Sequence, residues 1–200
     1  MEECWEGEEA VPEPAGGIPG LYVGRGFLGR AEQEELLAEA RSLCGACEAA
    51  PPGFVEIDPS RPNQAMRFGL PPWARDLSLI VREFLAHGGV LPREDLPDFN
   101  QMIVNRYAPG QGISPHIDLA AFGDVVVSVS LESAAVMDFS PQSGGRSKVG
   151  VLLEPGDLLV LSGEARWEWK HSILRCPEPR TSISLRTLGK GGPHELTEPG

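Results

Sequence analysis

Residues 105–118, which read NRYAPGQGISPHID, decide how the rest of this chain is interpreted. They end in His116-Ile117-Asp118, a histidine and a carboxylate two residues apart. On a β-strand, residues i and i+2 point to the same face, so both side chains could reach one point. Two histidines and one carboxylate on one face of a metal ion leave its other coordination positions open for reactants. The stretch therefore predicts a metal site that needs one more ligand.

The remaining histidines offer few choices for the missing ligand. His87 adjoins two glycines at a predicted helix end, and His194 lies in a tail rich in Gly and Pro. His171 follows a run of strand-like residues, which makes it the natural candidate. A His-x-Asp triplet also occurs by chance in many proteins, so the assignment depends on the other motifs.

A second motif lies near the end of the chain, where residues 180–186 read RTSISLR. Strand alternation places Arg180, Ser182, Ser184 and Arg186 on one face of this segment. The other face carries Thr181, Ile183 and Leu185, and we expect it to be buried in the interior of a β-sandwich. Two arginines on one face need an anionic partner, because an unpaired buried charge is costly. Their Cα atoms are roughly 20 Å apart at ~3.3 Å per residue, so the two long side chains could bind opposite ends of a small dianion. The alternative is a solvated face on an edge strand.

The hydrophobic periodicity predicts helices first and strands afterwards. Helices are expected over 29–43 and 73–86, where apolar residues recur at helical spacing. Short strands with period two are expected over 21–23, 66–68, 101–107, 125–131, 135–139, 149–153, 158–161, 167–173 and 181–188. This order predicts a mainly β protein with flanking helices (α+β): a double-stranded β-helix, or jelly-roll, core with the N-terminal helices packed outside.

The length of 200 residues predicts a single domain with tails. We place an acidic flexible tail at 1–20, the domain at 21–188, and a flexible C-terminal tail at 189–200. No apolar run approaches the ~20 residues that span a bilayer. The acidic N-terminus differs from a secretory or transit signal. An intracellular protein, cytoplasmic or nuclear, is the resulting expectation.

The charge and the cysteines limit the possible functions. The net charge is −12, and six glutamates among the first 13 residues account for half of it. This balance argues against a broad nucleic-acid-binding surface, although a local basic patch is compatible with it. Cys44 and Cys47 form a C-x-x-C at a predicted helix end, which is the wrong context for a redox motif and lacks the second pair of a zinc site. We therefore interpret the cysteines as structural.

Together these motifs resemble the AlkB family of Fe(II)- and 2-oxoglutarate-dependent dioxygenases. The matching pieces are Asn105-Arg-Tyr107 with Ala-Pro-Gly, His116-Ile-Asp118, His171, and Arg180 and Arg186 with five residues between them. The resemblance covers residues 21–188. The segments PGQGISPHID, VSVSLES and GEAR look closest to the branch that includes the tRNA wobble-uridine hydroxylase.

The resemblance implies site residues and cofactors. It implies that His116, Asp118 and His171 bind Fe(II), and that O2 is the co-reactant. It also implies that 2-oxoglutarate is held by Asn105, Tyr107, Arg180 and Arg186, with Arg180 and Tyr107 at the distal carboxylate and the other two nearer the keto-acid end. A metal-binding jelly roll without catalysis is the rival hypothesis, and it would not need the two arginines.

The family resemblance also implies a substrate class. Family members oxidise alkyl groups on nucleic-acid bases, modify tRNA or in some cases act on proteins. We expect a modified base in single-stranded nucleic acid, with RNA or tRNA as the class. Arg67, Phe68 and Arg166 are the expected substrate contacts, and Trp73 and Arg106 are further candidates. Members that flip out a base carry an extended lid, which is short here. A protein or small-molecule hydroxylase, or a catalytic subunit whose protein partner supplies RNA binding, is the alternative.

Overall fold

The computed structural model of the protein describes residues 11–45, 54–55, 64–145 and 148–188, with the backbone alone at 44–45, 54–55 and 64–68. Helix α1 spans Arg30–Gly45 and α2 spans Pro72–His87, both within two residues of the predicted bounds. The short helix α3, Gly163–Trp167, stands where the sequence predicted only a turn. A 3-10 turn at Arg93–Asp95 follows α2.

The described residues contain twelve strands. In chain order these are β1 Glu13–Pro14, β2 Leu21–Gly24, β3 Phe54–Val55, β4 Gln64–Phe68, β5 Gln101–Tyr107, β6 Ile113–His116, β7 Phe122–Leu131, β8 Ala135–Pro141, β9 Val149–Leu153, β10 Leu158–Leu161, β11 Trp169–Ile173 and β12 Arg180–Leu188. Most bounds agree with the predicted ones. Strand β11 starts two residues late because α3 occupies the preceding positions.

Two antiparallel sheets form the core of the described structure. The major sheet has the order β1-β2-β10-β7-β12-β5-β4-β3, and the minor sheet has the order β6-β11-β8-β9. Sequence neighbours such as β7 and β8 lie in opposite sheets, so the chain crosses repeatedly between them. This confirms the predicted jelly roll, and it places β6 and β11 side by side in the minor sheet.

The major sheet has apolar residues on both faces. One face packs on the helices, and Ile183 of β12 lies in the same apolar cluster as Leu77 and Val81 of α2. The other face packs on the minor sheet, and Leu159 of β10 lies in the same apolar cluster as Phe139 of β8. The predicted buried face of β12 is buried, but it packs against the helices and not inside the sandwich. The sandwich interior receives the polar face of β12 instead, and this difference creates the site.

The folded domain begins before the predicted boundary at residue 21. Strand β1 pairs with β2, with Glu13 opposite Val23 and Pro14 opposite Tyr22. Ile18 is only 4% exposed and belongs to the core between the two sheets. The apolar side chain of Ile18 explains why this segment packs, so the predicted flexible tail over 1–20 is too long. Residues 1–10 and the predicted tail at 189–200 lie outside the described residues.

Two further expectations concern the cysteines and the membrane. Cys176 is a buried free thiol, and burial raises its pKa, which keeps it protonated and unreactive. Cys44 lies in the last turn of α1, and Cys47 lies outside the described residues. Within the described ranges, every helix is too short or too polar to cross a bilayer.

Candidate metal and cosubstrate site

The structure brings His116, Asp118 and His171 together. Strands β6 and β11 are antiparallel neighbours in which His116 is paired with His171, and the two imidazole ring centroids lie 4.3 Å apart. The candidate ligand atoms of all three residues lie within 4.8 Å of one another. One metal ion could therefore contact all three.

Asp118 was predicted to lie on a strand with His116, but it lies on a connection between two strands. Strand β6 ends at His116, so Asp118 stands on the connection to β7 and not on a strand. The structure therefore brings together the pair that strand alternation selected, although Asp118 does not lie on the strand.

The surroundings of both histidines suit metal binding. The Nδ1 atom of His116 lies 2.9 Å from the Ser114 carbonyl oxygen, which can only accept, so Nδ1 is the donor and Nε2 is the ring nitrogen left for a metal ion. Burial lowers the pKa of His171 to about 4, with the neighbouring His116 imidazole as a further cause and Asp118 opposing it. His171 is therefore neutral near pH 7, as a metal-binding imidazole must be.

Asp118 is paired with Arg186 inside the protein. An Nη2 atom of Arg186 lies 3.0 Å from Oδ1 of Asp118, and both side chains are largely buried. The guanidinium also lies over the Phe122 ring, 4.6 Å from its centroid. Burial lowers the pKa of Arg186 while Asp118 raises it, so the pair compensates part of the desolvation cost.

Arg180 occupies the other end of the same strand face. Its side chain is 1% exposed, its Nη2 donates to Ser130 Oγ at 2.9 Å, and its guanidinium lies 5.8 Å from the centroid of the Tyr107 ring. Burial lowers the pKa of Arg180, with Tyr107 as the largest opposing cause. Among the described residues, no carboxylate forms an ion pair with Arg180. Arg180 is therefore a buried cation that an anionic ligand would neutralise.

A cavity of about 470 Å³ joins these groups between the two sheets. Its lining includes the three candidate metal ligands, the alternating face of β12 and, from β5, Asn105 and Tyr107. Four of the buried polar atoms around it have no hydrogen-bond partner among the described residues: Asn105 Oδ1, His171 Nδ1, Arg180 Nε and Arg186 Nε. A buried polar group normally has a partner, so this concentration of unsatisfied atoms fits a bound metal and a small polar cosubstrate.

Arg166 does not contact this cavity, contrary to the predicted substrate role. Its side chain is 1% exposed, and it is absent from the cavity lining. The guanidinium donates to the carbonyl oxygens of Asp118, Leu119, Phe122 and Gly123 at 2.9–3.2 Å. A guanidinium enclosed by four backbone carbonyls is not available to a substrate.

The other predicted substrate contacts are placed only in part. Arg67 and Phe68 lie on β4, opposite Met102 and Gln101 of β5, and their side chains are not among the described ones. Trp73 is partly buried and packs against the helix-side core, as its helical spacing suggested. Arg106 is half-buried on β5, opposite Thr181.

Sequence reasoning missed the serines of β7 that support the site. Ser130 accepts from Arg180, and Ser128 Oγ accepts from Ser184 Oγ at 3.0 Å across the strand pair. The signal was present in the VVVSVSL run, where serines alternate with valines on a strand that is otherwise apolar. Alternating polar positions in a central strand indicate a polar interior on that face.

A jelly roll that holds a His-x-Asp…His cluster beside a buried arginine strand is the architecture of a metal-dependent oxygenase. The family model of the 2OG-Fe(II) oxygenase superfamily matches residues 30–190. The alkB homolog 7, mitochondrial, of Bos taurus is described as an alpha-ketoglutarate-dependent dioxygenase; it is 31% identical over 85% of this chain and 80% of its own length. The chain belongs to the 2OG-Fe(II) oxygenase superfamily and, within it, to the AlkB family, with relatives on the ALKBH8 branch.

Relatives on that branch match part of their length. The tRNA (carboxymethyluridine(34)-5-O)-methyltransferase alkbh8 of Xenopus tropicalis is 47% identical over 77 residues, which are 38% of this chain and 12% of that protein. The alkylated DNA repair protein ALKBH8 homolog of Arabidopsis thaliana is 30% identical over 86% of this chain and 59% of its own length. The matched segment thus spans only about an eighth of the length of the Xenopus tropicalis protein.

The fold is shared with solved structures of low sequence identity. A Pseudomonas putida prolyl-4-hydroxylase is 18% identical, with a TM-score of 0.63 over 85% of this chain and 93% of that one. OsALKBH1 is also 18% identical, with a TM-score of 0.60 over 84% of this chain and 98% of that one. These similarities support the jelly-roll assignment.

Proposed function

We propose that this 2OG-Fe(II) oxygenase hydroxylates or oxidatively demethylates a modified base in nucleic acid, with RNA and tRNA as the substrate class. The observation that carries the catalytic part is the cavity that joins the His116–Asp118–His171 cluster to the buried, unneutralised Arg180. The names of the ALKBH8 relatives support the nucleic-acid part.

The proposed roles divide the cavity between metal and cosubstrate. His116, Asp118 and His171 would hold Fe(II), while Arg180 and Tyr107 would bind the distal carboxylate of 2-oxoglutarate. Asn105 and Arg186 would lie nearer the keto-acid end. When bound, iron, 2-oxoglutarate and O2 together supply the oxidation of a C–H bond, with succinate and CO2 as coproducts.

The protein contributes charge balance and orientation to this chemistry. Arg186 neutralises Asp118 through the 3.0 Å ion pair, and Ser130 fixes the direction of the Arg180 guanidinium. His171 stays neutral because it is buried. The sandwich excludes bulk water from these groups, which strengthens each charge-assisted hydrogen bond.

The rest of the described lining limits the reacting group. Apart from the proposed metal and cosubstrate residues, the described lining side chains are uncharged, and most are aliphatic, such as Ile113, Leu119 and Met137. A positively charged base would need a carboxylate there. This favours an uncharged base or alkyl group as the part of the substrate that enters.

The first test is cosubstrate turnover. With Fe(II), ascorbate and 2-oxoglutarate, the wild-type protein should form succinate, and His116→Ala and Asp118→Ala should not. Turnover near the wild-type rate in either variant would place the metal elsewhere. The result would also separate an oxygenase from a metal-binding module without catalysis, which forms no succinate in any variant.

The substrate class is tested by mass spectrometry of nucleosides. The protein should be incubated with methylated oligonucleotides and with cell tRNA, and the modified nucleosides should be oxidised or lost in a 2-oxoglutarate-dependent way. Substrate binding should also weaken steeply as salt rises, because phosphate contacts release counterions. Iron and 2-oxoglutarate binding without any change in a nucleoside would contradict the nucleic-acid proposal.

A protein or small-molecule hydroxylase is the second candidate, and the net charge of −12 favours it. Two apolar side chains, Leu119 of the cavity lining and Leu174 directly after β11, are 67% and 71% exposed. An apolar, acidic surface suits a peptide or metabolite better than a polyanion. An enzyme that acts on nucleic acid with this surface would borrow its RNA binding from a partner protein.

A further inference from the structure

Arg166 is the largest fully buried charged side chain that the proposed chemistry does not use. It lies on α3 and makes four hydrogen bonds, two to the connection between β6 and β7 and two to the first residues of β7. Nη2 donates to Leu119 O at 2.9 Å and to Phe122 O at 3.2 Å, Nη1 to Asp118 O at 3.2 Å, and Nε to Gly123 O at 3.1 Å. Each acceptor belongs to residues 118–123, which start at a candidate metal ligand.

These residues lack the support that a strand ladder would give. Strand β6 stops at His116 and β7 starts at Phe122, so Asp118 and Leu119 lie between the two ladders. Within the connection, the described backbone hydrogen bond runs from Phe122 N to Leu119 O, at 3.0 Å. Arg166 therefore supplies hydrogen bonds to Asp118 and Leu119, where no strand ladder supports the backbone, and ties them to the first two residues of β7.

Asp118 is consequently held at two points. Arg166 binds its backbone carbonyl, and Arg186 binds its carboxylate at 3.0 Å. The backbone contact fixes where the residue stands, and the side-chain contact fixes where the carboxylate points. Metal ligands that are oriented by outer partners bind the metal more tightly, because less ordering remains for the binding step.

Arg166 is itself fixed by its surroundings. The Trp167 ring lies 4.1 Å from the guanidinium carbon, and its Nε1 donates to Asp124 Oδ1 at 3.1 Å. Helix α3 is anchored to the N-terminal segment, since Ala165 N donates to Pro19 O at 3.0 Å. The guanidinium therefore belongs to a rigid element and not to a mobile loop.

We propose that Arg166 is a positioning residue that preorganises Asp118 for metal binding by holding the carbonyl groups of residues 118–123. The proposal rests on the metal site of the proposed function and is independent of the substrate. A lysine cannot replace this arginine, because a single ammonium group cannot reach four carbonyls arranged around a planar fork.

Co(II) binding to the metal-free protein tests the proposal without turnover. Isothermal titration calorimetry and the visible d–d absorption of bound Co(II) should be measured for wild type, Arg166→Met and Arg166→Lys. We expect both variants to bind Co(II) about 10- to 100-fold more weakly, the usual loss for an outer partner of a metal ligand. An altered d–d spectrum in the variants should accompany the loss, since Asp118 would approach the metal differently.

Arg82→Met is the matched control. Arg82 also donates to a backbone carbonyl, Pro97 O at 2.9 Å, but it lies outside the cavity lining. Its loss should leave the Co(II) affinity unchanged. Arg166 variants that melt at a lower temperature yet bind Co(II) as tightly as wild type would overturn the proposal, because Arg166 would then only stabilise the fold. An equal loss in Arg82→Met would overturn it as well.

Trp167→Ala carries the test if the Arg166 variants do not fold. Trp167 is 37% exposed, so its truncation removes the ring behind Arg166 with little effect on the core. A several-fold weaker Co(II) affinity in this variant supports the proposal. An unchanged affinity and an unchanged d–d spectrum overturn it.

Discussion

At the scale of single residues, two arginines on one strand have different environments and hence different expected roles. Arg186 already has an anionic partner in Asp118, 3.0 Å away. Arg180 has Ser130 Oγ and the Tyr107 ring as neighbours, neither of which is a carboxylate, and its Nε has no hydrogen-bond partner among the described residues. Of the two, Arg180 is therefore the better candidate for the distal carboxylate of a dianion.

Replacing Arg180 should mainly impair binding of 2-oxoglutarate. A charge-assisted hydrogen bond in a buried site typically contributes a few kcal/mol, so Arg180→Met should raise the KM for 2-oxoglutarate by about 10²-fold or abolish turnover. Ser130→Ala, which removes only the orienting hydrogen bond at 2.9 Å, should have a smaller effect. Succinate formation at varied 2-oxoglutarate measures both. A KM for Arg180→Met within a factor of two of wild type would contradict the assignment.

His171 should make the metal-free protein sensitive to acid. Its folded-state pKa is about 4 against an ordinary value of 6.5, so the unfolded chain takes up the proton at a higher pH. The stability that this residue contributes is therefore complete above pH 6.5 and is lost as the pH falls towards 4. At pH 5 the loss should be about 2 kcal/mol.

Urea unfolding of the metal-free protein at pH 7 and pH 5 measures this loss. His171→Gln is the control, since an amide does not titrate, and its unfolding free energy should change less over the same interval. Equal changes in wild type and His171→Gln would show that other groups determine the acid sensitivity.

At the scale of elements, the pairing of β6 with β11 brings the two histidines together. The loop before β6 is bound to the end of β11 through Gly110 N to Cys176 O and Cys176 N to Gln111 O, both at 2.7 Å. Gly112 is packed against the β11 backbone, where an added Cβ would lie 2.1 Å from Ile173 O. A backbone carbonyl cannot move aside as a flexible side chain can.

Gly112→Ala should therefore separate β6 from β11 and weaken the metal site together with the fold. Gly110→Ala is the matched control: Gly110 has a φ of +83° and open space around its Cβ position, so alanine there adds only about 1–2 kcal/mol of backbone strain. We expect Gly112→Ala to lose more unfolding free energy and more Co(II) affinity than Gly110→Ala. Equal losses in the two variants would mean that the close contact at Gly112 relaxes without moving the strand.

At the scale of the whole molecule, the N-terminal segment is part of the scaffold behind the site. Residues 13–20 extend the major sheet, bury Ile18 and accept hydrogen bonds from Ser162 and Ala165 at the start of α3. Helix α3 in turn carries Arg166. Residues 13–20, which were predicted from the sequence to lie in a flexible tail, therefore support α3, and Arg166 of α3 binds the backbone of Asp118.

Deleting residues 1–20 should destabilise the protein, while deleting residues 1–10 is the control that removes acidic charge and none of these contacts. Loss of the buried Ile18 alone should cost about 1.5–3 kcal/mol of unfolding free energy. Urea unfolding and Co(II) titration of both truncated proteins measure the effect. If the longer deletion matches the shorter one in both measurements, the segment does not support the site.

Several features of this protein were determined by the sequence itself. Strand and helix periods depend on side chains a few positions apart, so β5, β9 and β10 were predicted with the observed bounds and α1 and α2 within two residues. The choice of His116, Asp118 and His171 followed from the scarcity of histidines and the spacing of the motifs. The alternating face of β12 was also readable, because residue parity on a strand is a local property.

The tertiary structure decided what those local rules could not. Strand β6 ends at His116, where it pairs with His171 of β11, so Asp118 is held by Arg166 and Arg186 and not by a ladder. Parity identified two faces of β12, but only the positions of the helices decided that Ile183 faces them and that the arginines face the cavity. The roles of Arg166 and of residues 13–20 depend on partners more than a hundred positions away or in another element. Such contacts follow from the way in which the sheets and helices pack, which no short-range pattern encodes.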